Sequence, residues 1–132
     1  MKEMIKQICK SLEAKHNIEI LFCVDGGSRV WELNNDASDY DVKFVFYRPL
    51  NDYLKLNKLQ EVIDLPCGYD NIEVFGMDIY KFIRLLQSSN PTAIEWLLSD
   101  IIYYGTKPAV FVNFAKTHFN QISLYHHYMS MG

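Results

Sequence analysis

The sequence predicts a single α/β domain with a small mixed β-sheet, flanking helices and a helical tail. Three observations predict it: an amphipathic N-terminal segment, short apolar or alternating segments bounded by turn residues, and a run of capped helical segments in the second half. A length of 132 residues suits one ordinary domain, and no repeat or linker divides it. We therefore expect one unit over residues 1–132, with the helical tail beginning near residue 106.

The first half of the chain predicts one helix followed by two strands. Apolar residues recur at helical spacing from Met4 to Leu12, which indicates an amphipathic helix. The almost wholly apolar residues 18–24 predict a buried strand, and the alternation over residues 40–47 predicts a second strand. Between them, Ser28 follows two glycines and is placed to cap a helical turn.

The middle of the chain predicts a hairpin. Residues 50–59 are ambiguous, and we expect a loop with a helical turn there. Residues 61–65 and 71–75 are β-like, and the proline and glycine of residues 66–70 predict the turn that joins them.

The second half predicts several helices. Asp78 can cap a helix over residues 79–87, and Asn90 can cap another over residues 92–99 because Pro91 suits its first turn. We expect Trp96 to pack in the core. The remaining segments predict a short strand at 101–104 and two helices at 106–120 and 123–131, the last of which needs a partner from this domain, a further part of the chain or another chain.

The composition excludes several classes of protein. Hydrophobic residues make up 49% of the chain and charged residues 22%, as in globular rather than disordered proteins. A net charge of −3 argues against a chain-wide footprint for nucleic acid. No apolar run could span a bilayer and no secretory signal is evident, so we expect a cytoplasmic protein that binds no membrane. Three scattered cysteines match no disulfide framework or zinc spacing, and Cys9 and Cys23 are expected to be buried.

Two acidic residues at the start of the second strand form the candidate site. Asp39 and Asp41 are two positions apart, so in a strand both side chains point to one face, with Cα atoms about 6.5–7 Å apart. Two such carboxylates repel each other unless a cation lies between them, and Mg²⁺ suits carboxylates combined with substrate phosphates. An Asp-x-Asp pattern is weak evidence alone, but here a gap of ten residues separates it from Gly27-Ser28.

The glycine–serine segment predicts a phosphate site beside these carboxylates. Gly27 would let backbone N–H groups approach a phosphate, and the helical turn that starts at Ser28 would add partial positive charge. Arg29 and Lys43 could also bind a triphosphate, although Lys43 could equally be a charge partner of the aspartates.

A two-metal site calls for a third carboxylate. Glu73, which lies between two apolar residues of a predicted strand, is the first candidate. Asp78 is the alternative, although its role as a helix cap is the more ordinary explanation.

The spaced pattern of Gly27-Ser28, ten residues, Asp39-Tyr40-Asp41 and a later apolar–acidic–apolar triplet resembles the signature of the DNA polymerase β-like nucleotidyltransferase superfamily. The resemblance is closest to its RNA-ligase-associated (RlaP-type) branch. The further matching segments are Gly27 to Trp31, Ser38 to Val45, Arg48-Pro49, Gly76 to Asp78, Ser89 to Thr92, Glu95-Trp96 and His127 to Met131.

The resemblance implies a palm-like mixed sheet, two Mg²⁺ or Mn²⁺ ions, and transfer of a nucleoside monophosphate from an NTP, ATP foremost, to a hydroxyl of RNA, protein or a small molecule. It makes Asp39, Asp41 and Glu73 catalytic metal ligands, and it places Gly27 and Ser28 on the triphosphate.

Several features depart from the pattern of the branch: Glu73 stands where an Asp is more usual, and Met77 stands in place of a usual tryptophan. Asp25-Gly26 and Glu32 add negative charge or altered shape near the phosphates, and the chain stops where members of the branch continue into a helical C-terminal region. The alternatives are a non-catalytic nucleotide-binding or regulatory module, such as an antitoxin-like partner of a helical toxin, and a homodimer built on residues 123–131 with either function.

Overall fold

A five-stranded mixed sheet with helices on both faces organises the protein. The structure is a computed structural model that describes residues 2–26, 40–69 and 72–117. A further helix covers residues 109–117. The other elements are α1 (Lys2–His16), β1 (Glu19–Asp25), β2 (Tyr40–Tyr47), α2 (Leu50–Tyr53), β3 (Val62–Tyr69), β4 (Ile72–Asp78), α3 (Ile79–Gln87), α4 (Pro91–Leu98) and β5 (Ile102–Gly105).

The strand order of the sheet is β3-β4-β2-β1-β5. β2 and β4 are parallel neighbours, whereas the other three pairs are antiparallel. This mixed sheet with flanking helices confirms the predicted fold class. It also fits the polymerase β-like fold that the resemblance implies.

Each face of the sheet buries its own apolar cluster. On one face, the apolar side of α1 packs against alternate residues of β2 and β4, such as Phe44 and Val74. On the other face, α3, α4 and the helix at 109–117 cover Val45 and Met77. Apolar residues at period two on the strands and at helical spacing on α1 meet in these layers, as the sequence predicts.

Cys9 and Cys23 are both free and buried, which confirms their predicted core role. The hydrogen bond with Cys9, and then burial, raise the pKa of the Cys23 thiol. Both effects favour the neutral thiol over the reactive thiolate.

Several predicted elements match closely. β2 has the predicted bounds, and α3 begins directly after Asp78, whose side chain accepts a hydrogen bond from the backbone N–H of Tyr80. Asn90 caps α4, which starts at Pro91, one residue earlier than predicted. The short helix α2 is the helical turn expected within 50–59.

The turn predicted at residues 66–70 is wrong in its position, because β3 continues to Tyr69. The ladder between β3 and β4 has a register shift between Leu65 and Tyr69, and such a bulge lets a strand contain a proline and a glycine.

The helix predicted from residue 106 begins at 109 instead. Gly105 has a φ of 73°, which is outside the helical region. Helical geometry is also disfavoured for Lys107 because it precedes Pro108, so the helix starts after this proline. The remainder of the predicted tail, residues 118–132, lies outside the described residues. Among the helices that the structure does describe, none combines the length and apolarity needed to cross a bilayer.

Gly76 provides a test of the core between β2 and β4. It lies beside Phe44 in the parallel ladder, and a Cβ added there would come 2.1 Å from Cζ of that ring. We expect Gly76→Ala to lower the free energy of unfolding by about 1–3 kcal/mol through overpacking. Urea denaturation measures this change. Alanine in an unobstructed strand would instead stabilise the protein, so a variant at least as stable as the wild type would contradict this packing.

Candidate functional site

The ends of three neighbouring strands meet at one edge of the sheet. β1 ends at Asp25, directly opposite Val42 near the start of β2, and the backbone N–H of Gly26 donates to the carbonyl of Asp41 at 2.9 Å. In the parallel ladder, Asp41 of β2 lies beside Glu73 of β4. The chain leading to Gly27-Ser28 therefore leaves the sheet next to two acidic residues.

Asp41 and Glu73 share one face of the sheet. Residues in register on adjacent strands point the same way, and such strands lie about 4.8 Å apart. The Asp41 side chain is 26% exposed, and Glu73 is exposed. One cation could therefore contact both carboxylates from solvent. Predicted strand positions alone do not reveal this pairing, because it depends on how the two strands align.

Lys43 is the ion-pair partner of Asp41. Its Nζ lies 2.9 Å from Asp41 Oδ1 and 5.2 Å from the centroid of the Phe75 ring. This contact confirms the charge-partner interpretation of Lys43. Asp41 Oδ1 is shielded from solvent, and the Lys43 ammonium is the cation that compensates its charge.

Gly26 is required for this arrangement, whereas the sequence predicted for Asp25-Gly26 only extra charge or altered shape near the phosphates. A Cβ at Gly26 would lie 2.5 Å from Lys43 Cγ and 3.5 Å from Trp96 Nε1. Trp96 is buried in the core as predicted and stacks on Phe82. Any larger residue at position 26 would displace Lys43, so the pair of adjacent glycines was the available sequence signal.

A hydrogen-bond network that sequence reasoning missed holds the end of β1. Ser99 Oγ donates to the carbonyl of Asp25 at 2.8 Å, and the Tyr103 hydroxyl donates to Asp25 Oδ2 at 2.7 Å. Lys107 Nζ in turn donates to the carbonyls of Leu97 and Ser99 at 2.9 and 2.6 Å. Burial lowers the pKa of Lys107. These partners are distant in sequence, so no local pattern indicates them.

The Asp25 carboxylate does not face Asp41. It is fully buried beside Tyr103, which belongs to the apolar cluster on the α1 face, whereas Asp41 lies on the face of Lys43 and Phe75. The effect of Asp25 on the phosphate site stays a prediction, because Gly27 and Ser28 lie outside the described residues. The Asp25 carboxylate lies on the opposite side of the sheet from Asp41.

Asp78 lies at the far end of β4. It is five positions after Glu73, which is about 16 Å along a strand. Its Oδ1 caps α3, and its Oδ2 accepts from the Tyr53 hydroxyl at 2.8 Å and faces Arg48 Nη1 at 3.3 Å. The structure therefore gives Asp78 the role of a helix cap and does not bring it near Asp41.

The remaining predicted site residues, Gly27, Ser28, Arg29 and Asp39, lie outside the described residues. Within residues 2–26, 40–69 and 72–117, no group of three His, Cys, Asp or Glu side chains could hold a metal ion. The described part of the site contains two neighbouring carboxylates, of which Asp41 forms an ion pair with Lys43 and Glu73 is exposed. This oxygen-only donor set fits a hard divalent cation such as Mg²⁺ or Mn²⁺.

The mixed sheet and its acidic edge define a domain of the polymerase β-like class. Comparison with protein families agrees: the model of the RlaP family, described as an RNA repair pathway DNA polymerase beta family, matches residues 1–132. The chain belongs to this family.

A relative is found among curated proteins. The chain is 36% identical over 104 residues to the uncharacterized protein YcgL of Bacillus subtilis (strain 168). The alignment covers 79% of this chain and 40% of that protein, so the chain spans about two fifths of its relative's length. No solved structure matches the chain significantly.

The two positions considered for a third carboxylate should differ in their effect on stability. Asp78→Ala removes a helix cap and a largely buried partner of Arg48, and we expect it to lower the free energy of unfolding by roughly 2–4 kcal/mol. Glu73→Gln alters an exposed side chain and should change it by less than about 0.5 kcal/mol. Chemical denaturation measures both changes.

Asp52→Ala is the matched control, because Asp52 forms an ion pair with the exposed Lys55 and should cost less than about 1 kcal/mol. Equal destabilisation by Asp78→Ala and Glu73→Gln would contradict this division between a structural and a functional carboxylate.

Proposed function

We propose that the protein is a divalent-metal-dependent nucleotidyltransferase. It transfers a nucleoside monophosphate from an NTP, with ATP as the first candidate, to an acceptor hydroxyl. The observation that carries the proposal is the register that sets Asp41 beside Glu73, next to the strand end that leads into Gly27-Ser28. Membership of a polymerase β family supports the same reaction class.

Asp41 and Glu73, together with Asp39, would hold the metal ions as catalytic residues. The bound ions would supply activation of the acceptor hydroxyl and neutralisation of the triphosphate charge. The protein residues orient the reactants. Backbone N–H groups at Gly27 and the Ser28 hydroxyl bind the phosphates, and Arg29 adds positive charge beside them.

The Lys43 ammonium would contact Asp41 before a nucleotide binds and a phosphate afterwards. With the site unloaded, its ammonium neutralises Asp41 at 2.9 Å. With a nucleotide bound, the same group can reach a phosphate oxygen, because a lysine side chain is a long, flexible carrier of a point charge. The Asp25 network and the close packing of Gly26 on Lys43 hold the end of β1, which leads into the proposed phosphate-binding segment, beside this ammonium.

A second candidate function is a non-catalytic regulatory module, for example an antitoxin-like partner of a helical protein. The Lys43–Asp41 ion pair favours it, because an internal cation already compensates the carboxylate. Such a module would bind nucleotide without turnover. Measuring binding and transfer on the same preparation separates the two functions.

The acceptor and the partners are also matters of proposal. RNA is the first acceptor to test because the family description refers to RNA repair, with protein and small-molecule hydroxyls next. A cytoplasmic location and a homodimer through residues 123–131 stay predictions.

Loss of either described carboxylate should abolish transfer. We expect Asp41→Asn and Glu73→Gln each to reduce transfer of label from α-³²P-ATP to an acceptor, with Mg²⁺ or Mn²⁺ present, by at least about 100-fold, because each removes charge from the metal site. Asp52→Asn is the matched control and should retain activity, because Asp52 lies outside the site. Asp39→Asn should behave like Asp41→Asn. Transfer activity that persists in the Asp39, Asp41 and Glu73 variants would contradict the proposal.

Replacing Lys43 should change the affinities for the metal ion and for the nucleotide in opposite directions. Lys43→Met removes the cation that competes for Asp41, so Mn²⁺ should bind the nucleotide-free protein about two- to fivefold more tightly, the value of a modest ion pair. The variant should bind ATP more weakly, because a positive charge near the phosphates is lost.

Isothermal titration of Mn²⁺ and of ATP measures both effects. Lys10→Met is the control, because Lys10 is exposed on α1. Weaker binding of both ligands would mean that Lys43 only maintains the shape of the site.

A further inference from the structure

A cleft lies at the opposite end of the sheet from the carboxylate pair. It has a volume of about 410 Å³, within the range of small-molecule sites. It opens between the segment after α2 and the first turns of α3. We call it the α3 cleft, and the residues that line it include Tyr53, Lys58, Glu61, Asp78, Tyr80 and Arg84.

The floor of the α3 cleft is the Asp78 carboxylate, whose charge and hydrogen-bonding capacity are taken up by its neighbours. Both oxygens of Asp78 are occupied, one by the N–H of Tyr80 and the other by the Tyr53 hydroxyl and Arg48. Burial, together with the hydrogen bond to Asp78, raises the pKa of Tyr53 to about 12, so this hydroxyl remains a donor at neutral pH. The floor therefore does not repel an anion as a free carboxylate would.

The wall of the cleft is an exposed aromatic ring held in place. Tyr80 is 54% exposed, and its ring meets the Tyr53 ring edge-on, with centroids 5.0 Å apart at 78°. Tyr53 is itself fixed by its hydrogen bond to Asp78. A ring that is oriented by its neighbour and open to solvent suits stacking of a nucleobase, because every base has an apolar face.

The rim of the cleft has a surplus of positive charge in a chain with a net charge of −3. Arg84 pairs with Glu61, and Lys55 pairs with Asp52. Lys58 lines the same cleft. Among the residues that the structure describes, Lys58 takes part in no ion pair. Its ammonium is therefore available to an anionic ligand.

We propose that the α3 cleft binds a nucleoside phosphate unit, with its base on Tyr80 and its phosphate near Lys58 and Arg84. The unit is either a free nucleotide or one residue of a single strand, and these two sources share the same recognition chemistry. The α3 cleft lies at the Asp78 end of β4, whereas Glu73 lies about 16 Å away near the other end. This binding does not require the nucleotidyltransferase reaction.

The test measures binding in EDTA, where the carboxylate site holds no metal. The probes are a fluorescein-labelled 12-nucleotide single-stranded RNA followed by anisotropy, and AMP, ATP and inorganic phosphate followed by calorimetry. We expect Tyr80→Ala and Lys58→Glu each to weaken binding about tenfold, and Lys58→Glu to reduce the salt dependence of strand binding by about one ion or more.

Three control variants locate the binding. Tyr80→Phe keeps the ring and should bind like the wild type. Lys10→Glu makes the same charge change on exposed α1 and should also bind like the wild type. Asp41→Asn should leave binding in the α3 cleft unchanged, so failure of the reaction and failure of this proposal give different results.

The identity of the responding probe gives the source of the ligand. Strand binding that depends on Tyr80 and Lys58 indicates a single-stranded nucleic acid, and the same dependence for AMP or ATP alone indicates a free nucleotide. Either result supports the proposal. It is overturned if neither class binds below about 1 mM, if only inorganic phosphate binds, or if Tyr80→Ala and Lys58→Glu leave binding unchanged.

Discussion

The parallel pairing of β2 with β4 is the constraint on which the candidate site depends. It sets Asp41 beside Glu73, and the antiparallel pairing of β2 with β1 sets Gly26 against Asp41. A slip of one residue in the first ladder would turn Glu73 to the other face of the sheet. The slip is opposed by the core, because alternate residues of both strands are buried against α1. The packing that stabilises the sheet therefore also determines which carboxylates meet.

The two ends of the parallel pair use carboxylates in different ways. At one end Asp78 has partners for both oxygens and joins β4 to α3 and to the segment after β2. At the other end Asp41 Oδ1 pairs with the Lys43 ammonium, and Glu73 is exposed. A buried carboxylate with partners on both oxygens stabilises a fold, whereas an exposed carboxylate beside a second one retains the capacity to bind a cation.

Local signals in the sequence predicted most of the elements, and non-local contacts account for what they missed. Alternation set the bounds of β2, and a side-chain cap set the start of α3 at Asp78, because both signals act over a few residues. The bulge in β3 is a property of two paired strands, so residues 66–69 read locally as a turn. Ser99 and Tyr103 reach Asp25 across more than 70 residues, and the choice of Glu73 over Asp78 as the neighbour of Asp41 depended on strand register.

The most direct test of the central claim is a crystal structure of the protein with Mn²⁺ and a non-hydrolysable ATP analogue, with the metal located by anomalous scattering. The account predicts a Mn²⁺ ion in contact with the carboxylates of both Asp41 and Glu73, with the triphosphate against Gly27-Ser28 and Lys43 displaced from Asp41 towards a phosphate. A Mn²⁺ ion bound elsewhere, or a nucleotide bound with the Lys43–Asp41 pair intact and no metal between the carboxylates, would contradict it.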